Sequence, residues 1–581
     1  MNTAGACIVQ RDGTVLLEKN HPGFEEARAL LIQIAELVKS PANYHTYRIT
    51  PLSLWNAAAR GNSAAEIVAA LESVSRWALP PAVVADIQVA VSRYGRLKLQ
   101  RVDDEEDMLW LEGQDADIMR QLELESSLSD FHLIHIDERR MKLSADYRGS
   151  IKQELARLGY PVLDLVGYHE GQSLPFTLRE VSSGGKEFKL RTYQEESVAA
   201  FTRDQDVGSG GSGVLVLPCG AGKTVIGLAA MACFQCETLI LTSSVTSVRQ
   251  WIAELLDKTT LTPDRIGEYS GEKKQVREVT VSTYQILTHR SRKEEGFKHM
   301  SLFNERDWGL IIYDEVHLLP APVFRATADI QATRRLGLTA TLVREDGQER
   351  DVFSLIGPKR YEVPWKEMED SGYIATVLCR EIRVAMSAML EDRYNLAGAR
   401  EKFRIAAENP QKIAVLRELL KRHTGRQILI MGQYLQQLNQ VADELGVPLI
   451  TGRMPQDERE RIFHAFRHRQ ITVLAVSKVA NFAIDLPDAA VAIQISGSFG
   501  SRQEEAQRLG RILRPKEDGK TAYFYTLVSE GTREQEFAVR RQLFLIEQGY
   551  EYAILREQED GHIDMFNSSS HTDRIKGVSE A

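Results

Sequence analysis

From residue 214 onward, short apolar runs alternate with amphipathic segments. Uninterrupted runs of Val, Ile and Leu are typical of parallel strands that helices cover on both faces. The runs form two series, first VLVL, TLILT, VTVST, LIIYD and LGLTAT, then QILIM, VPLI, ITVLAV, AVAIQI and AYFYTLV. The sequence therefore predicts an α/β protein with two parallel-sheet domains, over residues 186–365 and 411–557.

The segments outside those two domains have other patterns. Helix-start signals, such as the capping box from Ser63 to Glu66, predict a mostly helical domain over 1–102. It is either a winged-helix module closed by a strand ending at residue 102 or another small helical fold. Short β-like runs around a helix predict an α+β domain over 131–185. The charged, helical residues 379–410 predict an insertion, and the polar residues 558–581 predict a disordered tail.

Charge and cysteine content restrict the class of protein. The net charge of −9 and the pI near 5.9 argue against a small, wholly basic nucleic-acid binder. An Arg-rich stretch from Arg453 to Lys516 would still allow a basic groove on an acidic body. Five scattered cysteines suit a reducing compartment better than a disulfide framework. With no basic leader and no apolar run of about 18 residues, the sequence predicts a soluble protein that is not exported.

A Gly-rich turn follows the first apolar run and precedes the helical pattern VIGLAAMA. In this strand, turn and helix order, backbone N–H groups surround phosphates. Lys223 would reach the β and γ phosphates of a nucleotide, and the hydroxyl of Thr224 would bind Mg²⁺. The turn predicts a nucleotide phosphate site that includes Pro218, Gly220, Ala221, Gly222, Lys223 and Thr224.

An acidic pair ends the strand LIIY, about 90 residues after the Gly-rich turn. An Asp at the carboxyl end of a buried strand beside a phosphate loop can hold a metal ion, and the next carboxylate can deprotonate the attacking water. Asp314 is therefore the expected Mg²⁺ ligand, and Glu315 the expected general base.

An Arg-rich segment, QRLGRILR, lies in the second predicted α/β domain from Gln507 to Arg514. Arginines three residues apart can line one face of a helix and supply planar charge to a γ-phosphate held by the other domain. Arg511 and Arg514 are therefore the candidate arginine fingers, and Gln507 of the same segment is a further candidate catalytic residue.

Together these motifs resemble those of the superfamily two helicases. The resemblance extends from about Leu190 to Tyr550 and is strongest to the XPB family, including its prokaryotic members. The strings that carry it are LPCGAGKT, LTATLVRED, IGPKRYE, SKVANFAIDLP and EAQRLGRILRP. Ala483 departs from the Gly that many superfamily members place at this point. The fold that the resemblance implies is two tandem RecA-like motor domains, preceded by small helical and α+β domains.

The resemblance also implies roles for residues outside the ATP motifs. Arg191 and Gln194 match the motif that reads adenine. Arg344, Glu345 and Asp346 match a short charged element that acts on duplex DNA. DNA contact or coupling to hydrolysis is implied for that element and for His317, Thr339 and Thr341. The predicted insertion would be the family's thumb, and the predicted α+β domain its damage-recognition region.

The activity implied by the resemblance is that of an ATP-dependent DNA helicase or translocase with 3′-to-5′ polarity, using ATP and Mg²⁺ and acting in DNA repair. Its partners would be duplex, forked or single-stranded DNA and a nuclease or other repair protein, without a membrane, in a prokaryotic cytoplasm. Two alternatives stay open. One is an ATP-driven switch that clamps DNA and recruits repair partners without unwinding. The other is an RNA helicase, against which the charged element and the N-terminal regions speak.

Overall fold

A computed structural model describes most of the chain. The described residues are 5–39, 44–103, 105–203, 211–290, 298–331, 333–341, 349–477, 489–497, 505, 508–510, 512–513, 521–550 and 552–556. The predicted tail at 558–581 lies outside them. Among the described residues, no helix has both the length and the apolar composition that crossing a membrane requires.

Residues 5–94, here called the N-terminal unit, combine an antiparallel sheet with four helices. The strand order is β1-β2-β4-β3. The helices that the sequence predicts cover more of this unit than the strands do, but the sheet itself was not predicted, because its strands are too short for their alternation of buried and exposed residues to stand out. The elements are β1 (Cys7–Val9), β2 (Thr14–Glu18), α1 (Phe24–Ile34), β3 (Glu36–Lys39), β4 (Tyr44–Arg48), α2 (Pro51–Ala59), α3 (Ala64–Val74) and α4 (Pro81–Arg93).

Residues 97–166 form the accessory unit, a five-stranded sheet with order β7-β8-β6-β5-β9. Its elements are β5 (Leu97–Val102), β6 (Glu105–Gly113), α5 (Ala116–Glu123), β7 (Ile134–Asp137), β8 (Arg140–Ser144), α6 (Arg148–Arg157) and β9 (Val162–Asp164). The strand predicted to close a winged helix is β5, which instead pairs with β6 and β9. The boundaries predicted at 102 and 131 therefore cut through one sheet, since pairing between distant strands leaves no local signal.

The accessory unit contains a buried cluster of charges that contacts the first α/β unit, residues 192–362. Lys152 contacts both Asp164 (2.7 Å) and Gln331, which follows a helix of that α/β unit. Arg148 holds the same Asp164 carboxylate at 2.9 Å. Burial raises the pKa of Asp164, but Arg148 and Lys152 outweigh it and hold that pKa far below its usual value. The hydrogen bond from Lys152 to Gln331 therefore joins this buried cluster of charges to the first α/β unit.

The first α/β unit, residues 192–362, has a seven-stranded parallel sheet with order β12-β13-β11-β14-β15-β10-β16. Its elements are α7 (Thr192–Thr202), β10 (Ser212–Val216), α8 (Lys223–Phe234), β11 (Thr238–Thr242), α9 (Val245–Lys258), β12 (Ile266–Tyr269), β13 (Val279–Thr283), α10 (Tyr284–Leu287), β14 (Leu310–Asp314), α11 (Ala321–Asp329), β15 (Arg334–Thr339), α12 (Glu349–Leu355) and β16 (Lys359–Glu362). The five apolar runs of the first series are all in this sheet, which confirms the parallel prediction.

The second α/β unit, residues 377–556, follows helix α13 (Trp365–Asp370) and repeats the design with order β19-β20-β18-β21-β22-β17-β23. Its elements are β17 (Val377–Val384), α14 (Ala388–Leu396), α15 (Ala399–Ala407), α16 (Gln411–Arg422), β18 (Ile428–Gly432), α17 (Leu435–Leu445), β19 (Leu449–Ile450), α18 (Gln456–Arg467), β20 (Val473–Ser477), β21 (Val491–Gln494), β22 (Ala522–Ser529), α19 (Arg533–Glu547) and β23 (Tyr552–Arg556). Short 3₁₀ helices elsewhere cover Ser126–Phe131, Ala145–Tyr147, Pro263–Arg265, Lys298–Asn304 and Val316–Leu318.

The charged strand β17 corrects the predicted insertion at 379–410. Its eight residues pair with β22 along their whole length, so the insertion cannot begin at Cys379. A buried charge is tolerated here because Glu381 accepts hydrogen bonds from Arg383 and from Gln542 (2.7 Å). Only α14 and α15 keep the helical character predicted for this segment.

Candidate active site

The Gly-rich turn lies between β10 and α8, as the sequence predicts. Gly220 and Gly222 have φ values of 83° and 76°, in the left-handed region that glycine adopts without strain. A Cβ on Gly222 would also lie 2.7 Å from Nε2 of Gln194. The turn brings Pro218, Gly220, Ala221 and Thr224 around the N-terminus of α8, where free N–H groups and the helix dipole favour phosphate.

The acidic pair lies at the same edge of the sheet as the Gly-rich turn. This follows because β14, β15 and β10 are neighbours in that order and run parallel. Oδ2 of Asp314 accepts a hydrogen bond from the indole N–H of Trp251 at 2.9 Å. The backbone carbonyl of Asp314 accepts another from the hydroxyl of Tyr284, also at 2.9 Å. Burial, and then the charge of Glu315, raise the pKa of Asp314 to about 6. A cation beside this carboxylate would therefore be stabilising.

Glu315 has a backbone conformation that is rare for a residue with a side chain, with φ and ψ both 53°. This turn brings its carboxylate 3.8 Å from Nζ of Lys223 and 3.6 Å from Nδ1 of His317. The ammonium expected at the phosphates and the carboxylate expected to activate water are thus neighbours. Such a local departure from common geometry is often found at functional sites.

Thr339 connects the two strand ends. Its hydroxyl lies 2.6 Å from Nδ1 of the buried His317, and it also accepts from the N–H of Thr341 at 3.1 Å. Its backbone carbonyl accepts from the N–H of Leu217, the first residue of the phosphate loop, at 3.0 Å. Three residues predicted to couple hydrolysis to DNA, His317, Thr339 and Thr341, are therefore in direct contact. Two hydrogen bonds therefore link His317, which follows β14, through Thr339 to Leu217, which follows β10.

The residues expected to read adenine hold the phosphate loop. Gln194 accepts from the N–H of Arg191 at 3.0 Å and donates to the carbonyl of Ala221 at 3.2 Å. The same carbonyl accepts from the hydroxyl of Tyr193 at 2.7 Å. The guanidinium of Arg191 lies 5.2 Å from the centre of the Tyr373 ring, which is a stacking distance.

Sequence reasoning missed Tyr193, Tyr373 and Trp251. Tyr193 lies inside the string RTYQ, between the site residues Arg191 and Gln194, and this position in the motif is the signal that could have identified it. Trp251 is an ordinary apolar position of the amphipathic helix α9, and nothing local indicates its bond to Asp314.

The predicted arginine fingers cannot be compared with the geometry. Arg511, Arg514 and Gln507 lie outside the described residues, and so do Arg344, Glu345 and Asp346. Gly510 is described, and a Cβ added to it would lie 2.5 Å from Cβ of Cys219 in the phosphate loop. The second α/β unit therefore contacts the phosphate loop within the arginine-rich segment.

The residues at the strand ends fit ATP and Mg²⁺. Mg²⁺ is commonly held by one or two carboxylates together with substrate phosphates, which suits Asp314 and Thr224. In the part of the chain that the structure describes, no group of three or more His, Cys, Asp or Glu could hold a metal ion without such help.

Comparison with known proteins shows which family this chain resembles. Family profiles match residues 368–576 (ERCC3/RAD25/XPB C-terminal helicase), 187–344 (type III restriction enzyme, res subunit) and 7–137 (helicase conserved C-terminal domain). The DNA 3′-5′ helicase XPB of Mycobacterium tuberculosis is 49% identical over 96% of this chain and 99% of its own length.

Two other relatives extend the comparison. The DNA 3′-5′ helicase XPB of Kineococcus radiotolerans is 50% identical, over 95% of this chain and 97% of that protein. A subunit of the general transcription and DNA repair factor IIH from Schizosaccharomyces pombe, its XPB helicase/translocase, is 33% identical over 94% of this chain and 75% of that protein. With its motifs, its parallel sheets and its match to nearly the full length of the Mycobacterium and Kineococcus proteins, the chain belongs to the XPB family of helicases.

Proposed function

We propose that this chain is an ATP-dependent DNA helicase that moves 3′ to 5′ along DNA, with ATP and Mg²⁺ at the shared edge of β10, β15 and β14. The observation that carries the ATP-hydrolysis part of the proposal is the 3.8 Å separation between Nζ of Lys223 and the carboxylate of Glu315. Phosphate binding and water activation would then occur in one place. Hydrolysis of a γ-phosphate requires both. The DNA substrate and the polarity are supported by the relatives named as DNA 3′-5′ helicases.

The residues divide the work as follows. Lys223 and the N–H groups around Gly222 bind the phosphates. Glu315 orients the attacking water and accepts its proton. Mg²⁺, held by Thr224 and Asp314, would neutralise negative charge on the phosphates. When Glu315 accepts the proton of the attacking water, its charge changes beside His317. The contact from His317 to Thr339 transmits this change to the end of β15, and the bond from Thr339 to Leu217 transmits it to the phosphate loop.

The proposed substrate is DNA in duplex, forked or single-stranded form. The relatives named above as DNA 3′-5′ helicases support this choice. We further propose a role in DNA repair, with a nuclease or other repair protein as partner, in a prokaryotic cytoplasm. The fission yeast relative supports the repair role because its name places it in a transcription and repair factor.

Replacing Lys223 with alanine should lower the ATPase rate by about 10²-fold or more, the typical cost of losing one charge contact to a transition state. A phosphate-release assay at saturating ATP would measure it. Lys273→Ala is the matched control, because this lysine of the same α/β unit is 57% exposed and pairs with Glu268. Wild-type hydrolysis by the Lys223 variant would contradict the phosphate-loop assignment.

The charged element Arg344-Glu345-Asp346 distinguishes a helicase from a DNA-clamping switch. Changing all three residues to alanine should abolish strand displacement while leaving DNA-independent hydrolysis within about twofold, since none of them belongs to the phosphate loop or the acidic pair. Fluorescent strand displacement on tailed and forked duplexes, with ATPase measured in parallel, tests this.

The outcomes of these two assays distinguish a helicase, a DNA-clamping switch and an RNA helicase. If the wild-type protein displaces no strand on any of these substrates, the switch replaces the helicase. If wild type and triple variant displace strands equally, the charged element has no part in unwinding. Stimulation of hydrolysis by RNA above that by DNA would favour an RNA helicase.

A further inference from the structure

The N-terminal unit is joined to the second α/β unit by an apolar and a polar contact. Leu543 of α19 is 4% exposed and belongs to the hydrophobic core of the N-terminal unit. Arg28 of α1 donates to the backbone carbonyl of Glu547, at the end of α19, with a distance of 2.9 Å. A Cβ on Gly549 would lie 2.9 Å from the same guanidinium. Arg28 of the N-terminal unit thus contacts the C-terminal end of α19, a helix of the second α/β unit.

The same N-terminal unit is joined to the first α/β unit by α2. The side-chain oxygen of Asn56 accepts from the backbone N–H of Lys359, the first residue of β16, at 2.9 Å. The ring of Trp55 lies 6.0 Å from that of Phe353 in α12, a distance typical of packed aromatic pairs. This contact is therefore also both polar and apolar.

Both contacts belong to one packed body. Core residues of α1, such as Leu31, and of α2, such as Leu54, are members of the same hydrophobic cluster. The two α/β units meanwhile meet at the phosphate loop, where Gly510 leaves room for Cys219. The N-terminal unit consequently spans a pair of domains in the arrangement that brings the arginine-rich segment to the nucleotide site.

We propose that the N-terminal unit is a bridge that holds the two α/β units together at the ATP site before nucleotide binds. Arg28 and Asn56 are its positioning residues, one for each anchor. The bridge raises the population of the arrangement in which the arginine-rich segment meets the phosphate loop. ATP therefore spends less binding energy on closing the two units, as for any preorganised site.

A bridge with two anchors has a distinctive signature. Cutting either anchor frees the two α/β units, so cutting both should add little to the effect of cutting one. Residues that act only through their own local packing, more than 7 to 10 Å apart, would give additive effects instead. Non-additivity between Arg28 and Asn56 therefore separates bridging from separate local destabilisation.

The test uses the full chain with Arg28→Ala, Asn56→Ala and the double variant. Arg48→Ala is the control, because this exposed arginine pairs with Asp12 inside the N-terminal unit. Arg28→Lys keeps a cation and a donor, and should recover part of the effect. The first readout needs no hydrolysis: hydrogen exchange of residues 217–222 and 508–513 in nucleotide-free protein, with thermal unfolding as a check on the fold.

We expect each single variant to exchange faster in both segments, by about threefold to tenfold, because losing its hydrogen bond releases one anchor and with it the whole bridge. The kinetic expectation rests on the proposed ATPase function: the KM for ATP should rise by a similar factor, with kcat at saturating ATP and DNA nearly unchanged. The double variant should match the singles.

Unchanged exchange in the single variants, additive effects in the double variant, or faster basal hydrolysis would each overturn the bridge. If the wild-type protein hydrolyses no ATP, the proposed function fails, but the exchange readout still decides whether the bridge exists.

Discussion

Glu315→Gln is expected to lower ATP turnover by about 10²-fold to 10⁴-fold, the usual contribution of a general base. Glutamine has nearly the same size and can adopt the same left-handed backbone conformation, so the turn after β14 should persist. The change also removes one cause of the raised pKa of Asp314, and so should not weaken a metal at that carboxylate. Binding of ATP should consequently survive the loss of hydrolysis.

Two measurements on the same preparation check this expectation. Single-turnover hydrolysis reports the chemical step, and equilibrium binding of a fluorescent ATP analogue reports affinity. Glu272→Gln, at an exposed position of the same α/β unit, is the control for loss of a carboxylate. If affinity fell as far as turnover did, Glu315 would be a binding residue, and the general base would have to be sought elsewhere.

Arg511→Ala and Arg514→Ala should each lower DNA-stimulated hydrolysis by about 10³-fold or more, as expected for arginines that stabilise the transition-state charge on a γ-phosphate. The contact between Gly510 and Cys219 supports this expectation, since it brings the arginine-rich segment of the second α/β unit to the phosphate loop. Binding of DNA without nucleotide should be retained.

DNA affinity and DNA-stimulated ATPase activity should be measured together for these variants. Arg540→Ala is the matched control, because Arg540 is an exposed arginine on α19 of the same unit. Equal losses of DNA affinity and of hydrolysis would make Arg511 and Arg514 contacts to the DNA backbone instead of arginine fingers.

The site illustrates how far motif spacing reaches. Pro218 to Thr224 and the pair Asp314 and Glu315 are recognisable in the sequence, because phosphate binding requires glycines, a lysine and a helix start in fixed order. Their proximity also follows from sequence, since parallel strands place their carboxyl ends at one edge. The bond from Trp251 to Asp314 does not follow, because it joins side chains 63 residues apart that have no shared local pattern.

The two parallel sheets and the nucleotide motifs can be predicted from the sequence, because both depend on local features: continuous apolar strands, and a turn with a required backbone conformation. The sheet to which each strand belongs became known from the fold, because strand pairing joins distant segments. Leu97–Val102 belongs to the accessory sheet, and Val377–Val384 is a strand despite its charges, since Arg383 and Gln542 satisfy Glu381. The contacts of Arg28 and Asn56 with two different units could not be predicted from the sequence either, because nothing in the local sequence around a side chain indicates a partner hundreds of residues away.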